Sequence, residues 1–162
     1  MAATNPRVIE KLQIRIGRHG TWYHEDIPIV RPELVKLFAS MLRRSTDGKY
    51  WLETPAEVAQ VEVEDAPFIV IQLNQQGSGL SQKIDFLTNV DRWFALDGAH
   101  ALRFGVNDST LGSVPYVSIG GGLEARLSTS VYYELVELAE VDEHNCLGVW
   151  SYDQRHVLGL VE

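Results

Sequence analysis

Seven polar residues sit at strand ends or in turns among aromatic side chains, and they are the best pocket candidates in the chain. They are Thr54, Glu57, Asp65, Thr88, Asn89, Glu124 and Arg126, with Trp22, Tyr50, Trp51, Phe68, Tyr116, Tyr132 and Tyr133 distributed around them. Hydroxyls, an amide and opposite charges beside apolar rings are what a small-molecule site needs to fix a ligand's orientation. Asp65 and Glu124 would also serve as a general acid and base pair. Each residue has a local structural role as well. Thr54 and Glu57 frame a capping box, Asp65 orders the turn into Pro67, Thr88 and Asn89 open a turn with Asp91, and Glu124 with Arg126 shares one strand face.

Other chemistries are absent from the pattern. No Gly-x-x-x-x-Gly-Lys-Ser/Thr run exists for phosphate, and Gly77-Ser78-Gly79 lacks the spacing of a nucleophile elbow. Gly120-Gly121-Gly122 precedes a strand-like segment and reads as a turn or bulge. His19, His24, His100, His144 and His156 are scattered, without the i, i+4 pair of a zinc protease helix. His19 and His24 beside Glu25 and Asp26 read as a solvated turn rather than a cation site. No metal and no cofactor is expected. Catalysis therefore ranks below binding.

These residues are positioned by a chain of 162 residues with 14 Lys and Arg against 22 Asp and Glu, a net charge of −8. An acidic chain is a poor partner for DNA, RNA or an anionic membrane, which attract clustered positive charge. At 45% apolar and 22% charged it is globular rather than disordered. Cys146 is the single cysteine, so no intrachain disulfide forms, and nothing basic adjoins it in sequence. No leader-like apolar stretch opens the sequence and none approaches the ~20 residues needed to cross a bilayer. The expected compartment is the cytoplasm.

Alternation at Leu12, Ile14 and Ile16 predicts a strand over 11–17, followed by a short one at 21–24. Leu34, Val35, Leu37, Phe38, Met41 and Leu42 recur at helical spacing behind Pro32, with Arg43 and Arg44 at the negative end of the dipole. Asp47-Gly48 marks a tight turn before a strand at 49–53. Thr54-Pro55-Ala56-Glu57 predicts one helical turn, and a strand follows at 59–63. Further strands are expected at 68–73, 83–87, 101–106, 116–119 and 123–127. A second helix carries Val131, Tyr132, Leu135, Val136 and Ala139, capped by Ser128 or Ser130. Strands at 147–151 and 156–160 close the chain.

Segments 12–63 and 116–160 share the order strand, strand, helix, strand, strand, which suggests an internal duplication. The expected class is α+β with mostly antiparallel sheet, in two small domains spanning 10–66 and 67–162.

The runs Gly20-Thr21-Trp22, Pro28-Ile29-Val30-Arg31-Pro32-Glu33-Leu34-Val35, Tyr50-Trp51-Leu52-Glu53-Thr54-Pro55-Ala56-Glu57, Val63-Glu64-Asp65-Ala66-Pro67-Phe68, Phe86-Leu87-Thr88-Asn89 and Gly122-Leu123-Glu124-Ala125-Arg126-Leu127, followed by Tyr132-Tyr133-Glu134-Leu135, resemble the bacterial domain-of-unknown-function family 1285. The resemblance implies a duplicated α+β architecture with a pleckstrin-homology-like second domain. It also implies a ligand site at the domain interface, a nucleotide-like ligand and a role in signal transduction, without a catalytic mechanism to inherit. Thr54, Pro55, Glu57, Asp65, Pro67, Phe68, Thr88, Asn89, Glu124 and Arg126 are the positions it places near that interface. There Trp22, Tyr50 or Tyr116 would stack a base, and Arg126 or Arg31 would neutralise phosphate. Ser128-Thr129-Ser130 departs from the pattern, where a basic residue before the helix is expected. A non-catalytic protein-interaction adaptor is the alternative function.

Overall fold

In the computed structural model, which describes residues 7–8, 13–55, 57–106 and 113–161, the chain divides into two units. One comprises Met1–Pro67 with Gly121–Leu123, the other Phe68–Gly120 with Glu124–Glu162.

The alternation of Ile14 and Ile16 forms β2 (Ile14–Ile16), which follows β1 (Arg7–Val8); Leu12 lies outside the described residues. Then come β3 (Trp22–His24), β4 (Ile27–Pro28), α1 (Pro32–Ser40), β5 (Leu42–Arg44), β6 (Tyr50–Glu53) and β7 (Glu57–Val63). The sheet runs β4-β3-β2-β7-β6-β5, with β1 also against β7. The pairs β2/β7 and β1/β7 are parallel and the rest antiparallel. Ile14, Ile16, Trp22, Leu42, Leu52, Ala59 and Val61 are buried on one face, while Gln60 and Glu62 are exposed on the other.

Helix α1 starts on Pro32 at its first turn with Glu33 beside it, as its sequence predicts. It ends earlier than predicted. Met41 is the C-cap, and Leu42 to Arg44 form β5, because Leu42 finds full burial opposite Leu52 in a hairpin closed at Asp47-Gly48. Arg43 still serves the helix end, donating to Ser40 O at 3.1 Å. The Thr54 to Glu57 segment is a second correction. The Thr54 hydroxyl accepts from Glu57 N at 2.9 Å, as in a cap, but Thr54 N donates to Glu57 O at 2.9 Å and closes a β-turn between β6 and β7. Backbone pairing of Glu53 with Val58 overrides the helical signal. Ala56 lies outside the described residues.

The second unit contains β8 (Phe68–Gln76), β9 (Lys83–Thr88), β10 (Trp93–Ala95), β11 (Leu102–Val106), β12 (Ser113–Gly120), β13 (Leu123–Leu127), α2 (Thr129–Glu137), β14 (Glu140–Val141), β15 (Cys146–Ser151) and β16 (Gln154–Leu160). A six-stranded sheet runs β10-β9-β8-β13-β12-β11, with β8 and β13 parallel; β14-β15-β16 form a separate antiparallel sheet. Gly120, Gly121 and Gly122 all take positive φ in the turn between β12 and β13, as the glycine run predicts.

Phe68, Val70, Ile84, Phe86, Val117, Ala125 and Leu127 are buried together with Val131 and Leu135 of α2 and Val149 of β15. Each of the larger ones contributes about 1.5–3 kcal/mol by leaving water. The Ser128 hydroxyl accepts from Val131 N at 3.3 Å and caps α2. Buried Ser151 accepts from Ile84 N at 2.9 Å, and Gln82 donates to Trp150 O at 2.9 Å, tying the small sheet to β9. Half-buried Cys146 has a basic neighbour that its sequence context does not reveal, since Arg155 reaches across the hairpin to within 3.6 Å of Sγ.

The two segments with matching element order differ in pairing. In the first, β2 joins β7 in one sheet; in the second, β13 joins β8 and the last strands form their own sheet. The chain is α+β, and mostly strand, with two α-helices and one short 3-10 turn (Gly79–Ser81) among the described residues.

Candidate functional site

One face of the six-stranded sheet gathers charge around an aromatic ring. Strand geometry does this directly. Arg103 on β11 lies opposite Tyr116 on β12, so their side chains rise on the same face. The Arg103 guanidinium carbon sits 4.4 Å from the centre of the Tyr116 ring. Its Nε and Nη2 donate to the two carboxylate oxygens of Glu124 on β13 at 2.8 and 2.9 Å. This is the planar, two-pronged geometry that fixes a guanidinium in one orientation. Arg126, two residues along β13 from Glu124, shares that face.

Gly105 makes room for the arrangement. A Cβ at that position would stand 3.1 Å from Arg103 Nη1 and 3.1 Å from the Tyr116 ring. Tyr116 is 7% exposed and cannot swing away, whereas the Arg103 side chain is 54% exposed and Glu124 22%. Arg103, Glu124 and Arg126 thus rise together on one face of the sheet, beside the buried Tyr116 ring. Such a surface can stack a planar group and neutralise an anion.

The other residues expected at a site are placed as follows. Trp22 is 1% exposed in the core of the first unit, its ring 6.3 Å from Phe38. Arg31 is exposed at the N-cap of α1 and makes no side-chain cap bond there. Tyr50 is half-buried with the Arg44 guanidinium 5.2 Å from its ring centre. Thr54 and Glu57 close the β6/β7 turn described above, the Glu57 side chain being exposed, and Asp65 is half-buried in the bend before Pro67.

In the second unit Phe68 is core and Thr88 is 1% exposed, its hydroxyl accepting from Val90 N and Arg92 N at 3.3 Å each. Asn89 Oδ1 accepts from Ile69 N at 3.0 Å, pinning the turn to β8. Thr54, Thr88 and Asn89 thus have structural work in turns. Tyr116, Glu124 and Arg126 are brought onto one face. Arg103 and Gly105 were not among the expected residues, although the alternation of β11 carries the signal, since both fall on the face opposite Leu102 and Phe104.

Among the described residues, no group of three or more His, Cys, Asp or Glu side chains is placed to hold a metal ion, and no helix is long and apolar enough to cross a membrane. His24, Glu25 and Asp26 form the end of a tight hairpin.

No curated protein matches the chain. It is similar over 97% of its length to a DUF1285 family protein from Silicibacter pomeroyi, with 32% identity, 85% of that chain covered and a TM-score of 0.89. A DUF1285 family protein from Shewanella baltica shares its fold, with 24% identity, a TM-score of 0.60, and coverage of 76% of this chain and 90% of that one. Residues 2–66 match the model of the domain of unknown function DUF1285, N-terminal domain, and residues 67–158 match that of the protein of unknown function DUF1285, C-terminal domain. The chain belongs to the DUF1285 family.

Proposed function

We propose that this protein is a non-catalytic regulatory module that binds a small anion, nucleotide-like in having a planar group beside a phosphate, with a role in signal transduction. The observation that carries the reading is the Arg103 guanidinium, held by two hydrogen bonds to Glu124 and stacked on Tyr116, with Arg126 on the same face. A cation fixed in advance loses little side-chain entropy when an anion arrives. The second unit is read as pleckstrin-homology-like, a scaffold that by itself assigns no ligand.

The test is thermal unfolding at low salt with a panel of nucleoside mono-, di- and triphosphates and cyclic dinucleotides. A ligand at a hundred times its dissociation constant stabilises by about 2.7 kcal/mol. Stabilisation by one member, lost in Arg126→Ala and weakening steeply with salt, supports the reading; no shift from any member overturns it.

The adaptor reading is favoured by a different observation. Val30, Leu34 and Leu37, along α1 and its lead-in, are 84%, 36% and 54% exposed. A protein partner captured by wild type and by Arg126→Ala, but not by Leu37→Arg, would establish that reading instead.

A further inference from the structure

Sheets end in strands whose outer backbone groups face water, and proteins guard such edges by keeping them short, charged or interrupted by proline. Most edges here follow that rule. Strands β1, β4 and β14 are two residues long and β10 is three; β4 ends on Pro28, β5 carries Arg43 and Arg44, and β11 carries Arg103. Strand β16 does not. It runs from Gln154 to Leu160 at the end of the three-stranded sheet, and no strand pairs with its other side among the described residues. Val157, Leu160 and the following Val161 are 52%, 79% and 43% exposed.

The backbone fixes which groups this edge offers. A two-residue turn at Tyr152-Asp153, both at positive φ, pairs Ser151 with Gln154. Antiparallel alternation then turns the amide groups of Arg155 and Val157 away from β15, and the ladder continues to Leu160 past one bulge. The side chains leave the edge without free charge. His156 and Leu158 are buried, while Val157 and Leu160 lie opposite Gly148 and Cys146 on the outer face. Arg155 reaches across the sheet in the opposite direction, toward β14. Its guanidinium donates to Cys146 O at 2.8 Å and to Glu140 O at 3.2 Å, and lies 3.4 Å from Asp142 Oδ2.

We propose that β16 is a self-association edge, through which two copies of this chain pair their β16 strands antiparallel about a twofold axis and join two three-stranded sheets into one of six strands. Such a contact is self-complementary, because each outward N–H meets an outward C=O of the other copy and the exposed Val157 and Leu160 of both copies share one face. Charge placement favours it. Glu140, Asp142 and Glu143 belong to β14 and the turn after it, two strand spacings or about 10 Å from β16. Pairing through β16 leaves both acidic clusters at the far ends of the joined sheet, whereas pairing through β14 would set like charges against each other.

Sedimentation equilibrium of the full chain from micromolar to near-millimolar concentration tests this, and should fit a monomer–dimer equilibrium. Association should hold or strengthen as salt is raised, because salt screens the repulsion between two chains of charge −8. Hydrogen exchange at the Arg155 and Val157 amides should slow at least tenfold as the dimer fills. Val157→Lys and Leu160→Lys each place a guard at an exposed position. Both should weaken association at least tenfold and leave the unfolding temperature of the monomer within about 3 °C of wild type; Leu160→Lys, at the more exposed position, decides if Val157→Lys does not fold. A chain monomeric throughout, a dimer that the lysine variants leave at wild-type affinity, a dimer weakened by salt, or one whose Arg155 and Val157 amides exchange as fast as in the monomer overturns the proposal.

Discussion

Glu124→Gln separates what holds the second unit's sheet face together from what binds an anion there. Of the two hydrogen bonds from Arg103, now 2.8 and 2.9 Å long, one is lost to the amide NH2 and the other is left on a neutral amide oxygen. Because the two side chains are 54% and 22% exposed, solvent screens the pair, and its loss is set at about 0.5–1 kcal/mol. That corresponds to a fall in Tm of about 2–8 °C for a unit of this size. The stack on Tyr116 does not depend on Glu124 and persists.

Anion binding should move in the opposite direction. Glu124 competes with an incoming anion for the same guanidinium, and removing a like charge about 5 Å from the ligand oxygens gains roughly 1 kcal/mol at an effective dielectric close to that of water, as suits an exposed guanidinium. Affinity should rise about fivefold. Arg103→Ala removes the pair together with a cation–π contact of about 0.5–1 kcal/mol, so it should cost about 1–2 kcal/mol of stability and at least tenfold in affinity. Isothermal titration with adenosine diphosphate, beside thermal unfolding of wild type and both variants, reads all four quantities. Binding weakened in Glu124→Gln, or unchanged in Arg103→Ala, would refute the assignment of this face to an anion.

Three further outcomes are expected. His156 is 8% exposed, and burial depresses its imidazole below the usual value of 6.5, so the unfolded chain takes up a proton that the folded one resists. Stability is therefore full above about pH 6.5 and falls as the pH drops from there toward the lower folded value; unfolding scans from pH 8 to 5 should show this slope, and His156→Gln should flatten it. Gly148→Ala places a Cβ 2.6 Å from Arg155 Cζ, and should cost about 1–3 kcal/mol, whereas in an Arg155→Ala background the same change should be nearly free, as a double-mutant cycle would show. Trp22→Ala should cost about 3–5 kcal/mol in denaturant unfolding, and a loss under 1 kcal/mol would contradict its place in the core.

Local pattern was readable where it coincided with burial, and misleading where a distant partner decided. Ile14 and Ile16 alternate because one sheet face is dry, and Pro32 with Glu33 starts a helix in any context. Leu42 continues the helical period of α1 equally well, and only its pairing with Leu52 makes it a strand residue. Thr54 to Glu57 carries the letters of a capping box, yet the ladder between β6 and β7 claims it. The parallel pairs β2/β7 and β8/β13 join residues far apart in sequence, where periodicity holds no information about partners.

The candidate site shows the same division. Glu124 and Arg126 were visible as a same-face pair, but Arg103 acquires its meaning only from lying opposite Tyr116, and Gly105 only from the ring and guanidinium it must not touch. Thr88 and Asn89 are polar residues near aromatics for a different reason, since they satisfy backbone groups in a half-buried turn.

The most direct test of the anion-binding account is a map of where a nucleotide lands. Backbone amide NMR of the full chain at low salt, titrated with adenosine diphosphate, should give saturable shifts centred on Arg103, Tyr116, Glu124 and Arg126, abolished by Arg126→Ala. Shifts centred on other residues, or none that saturate, would contradict it.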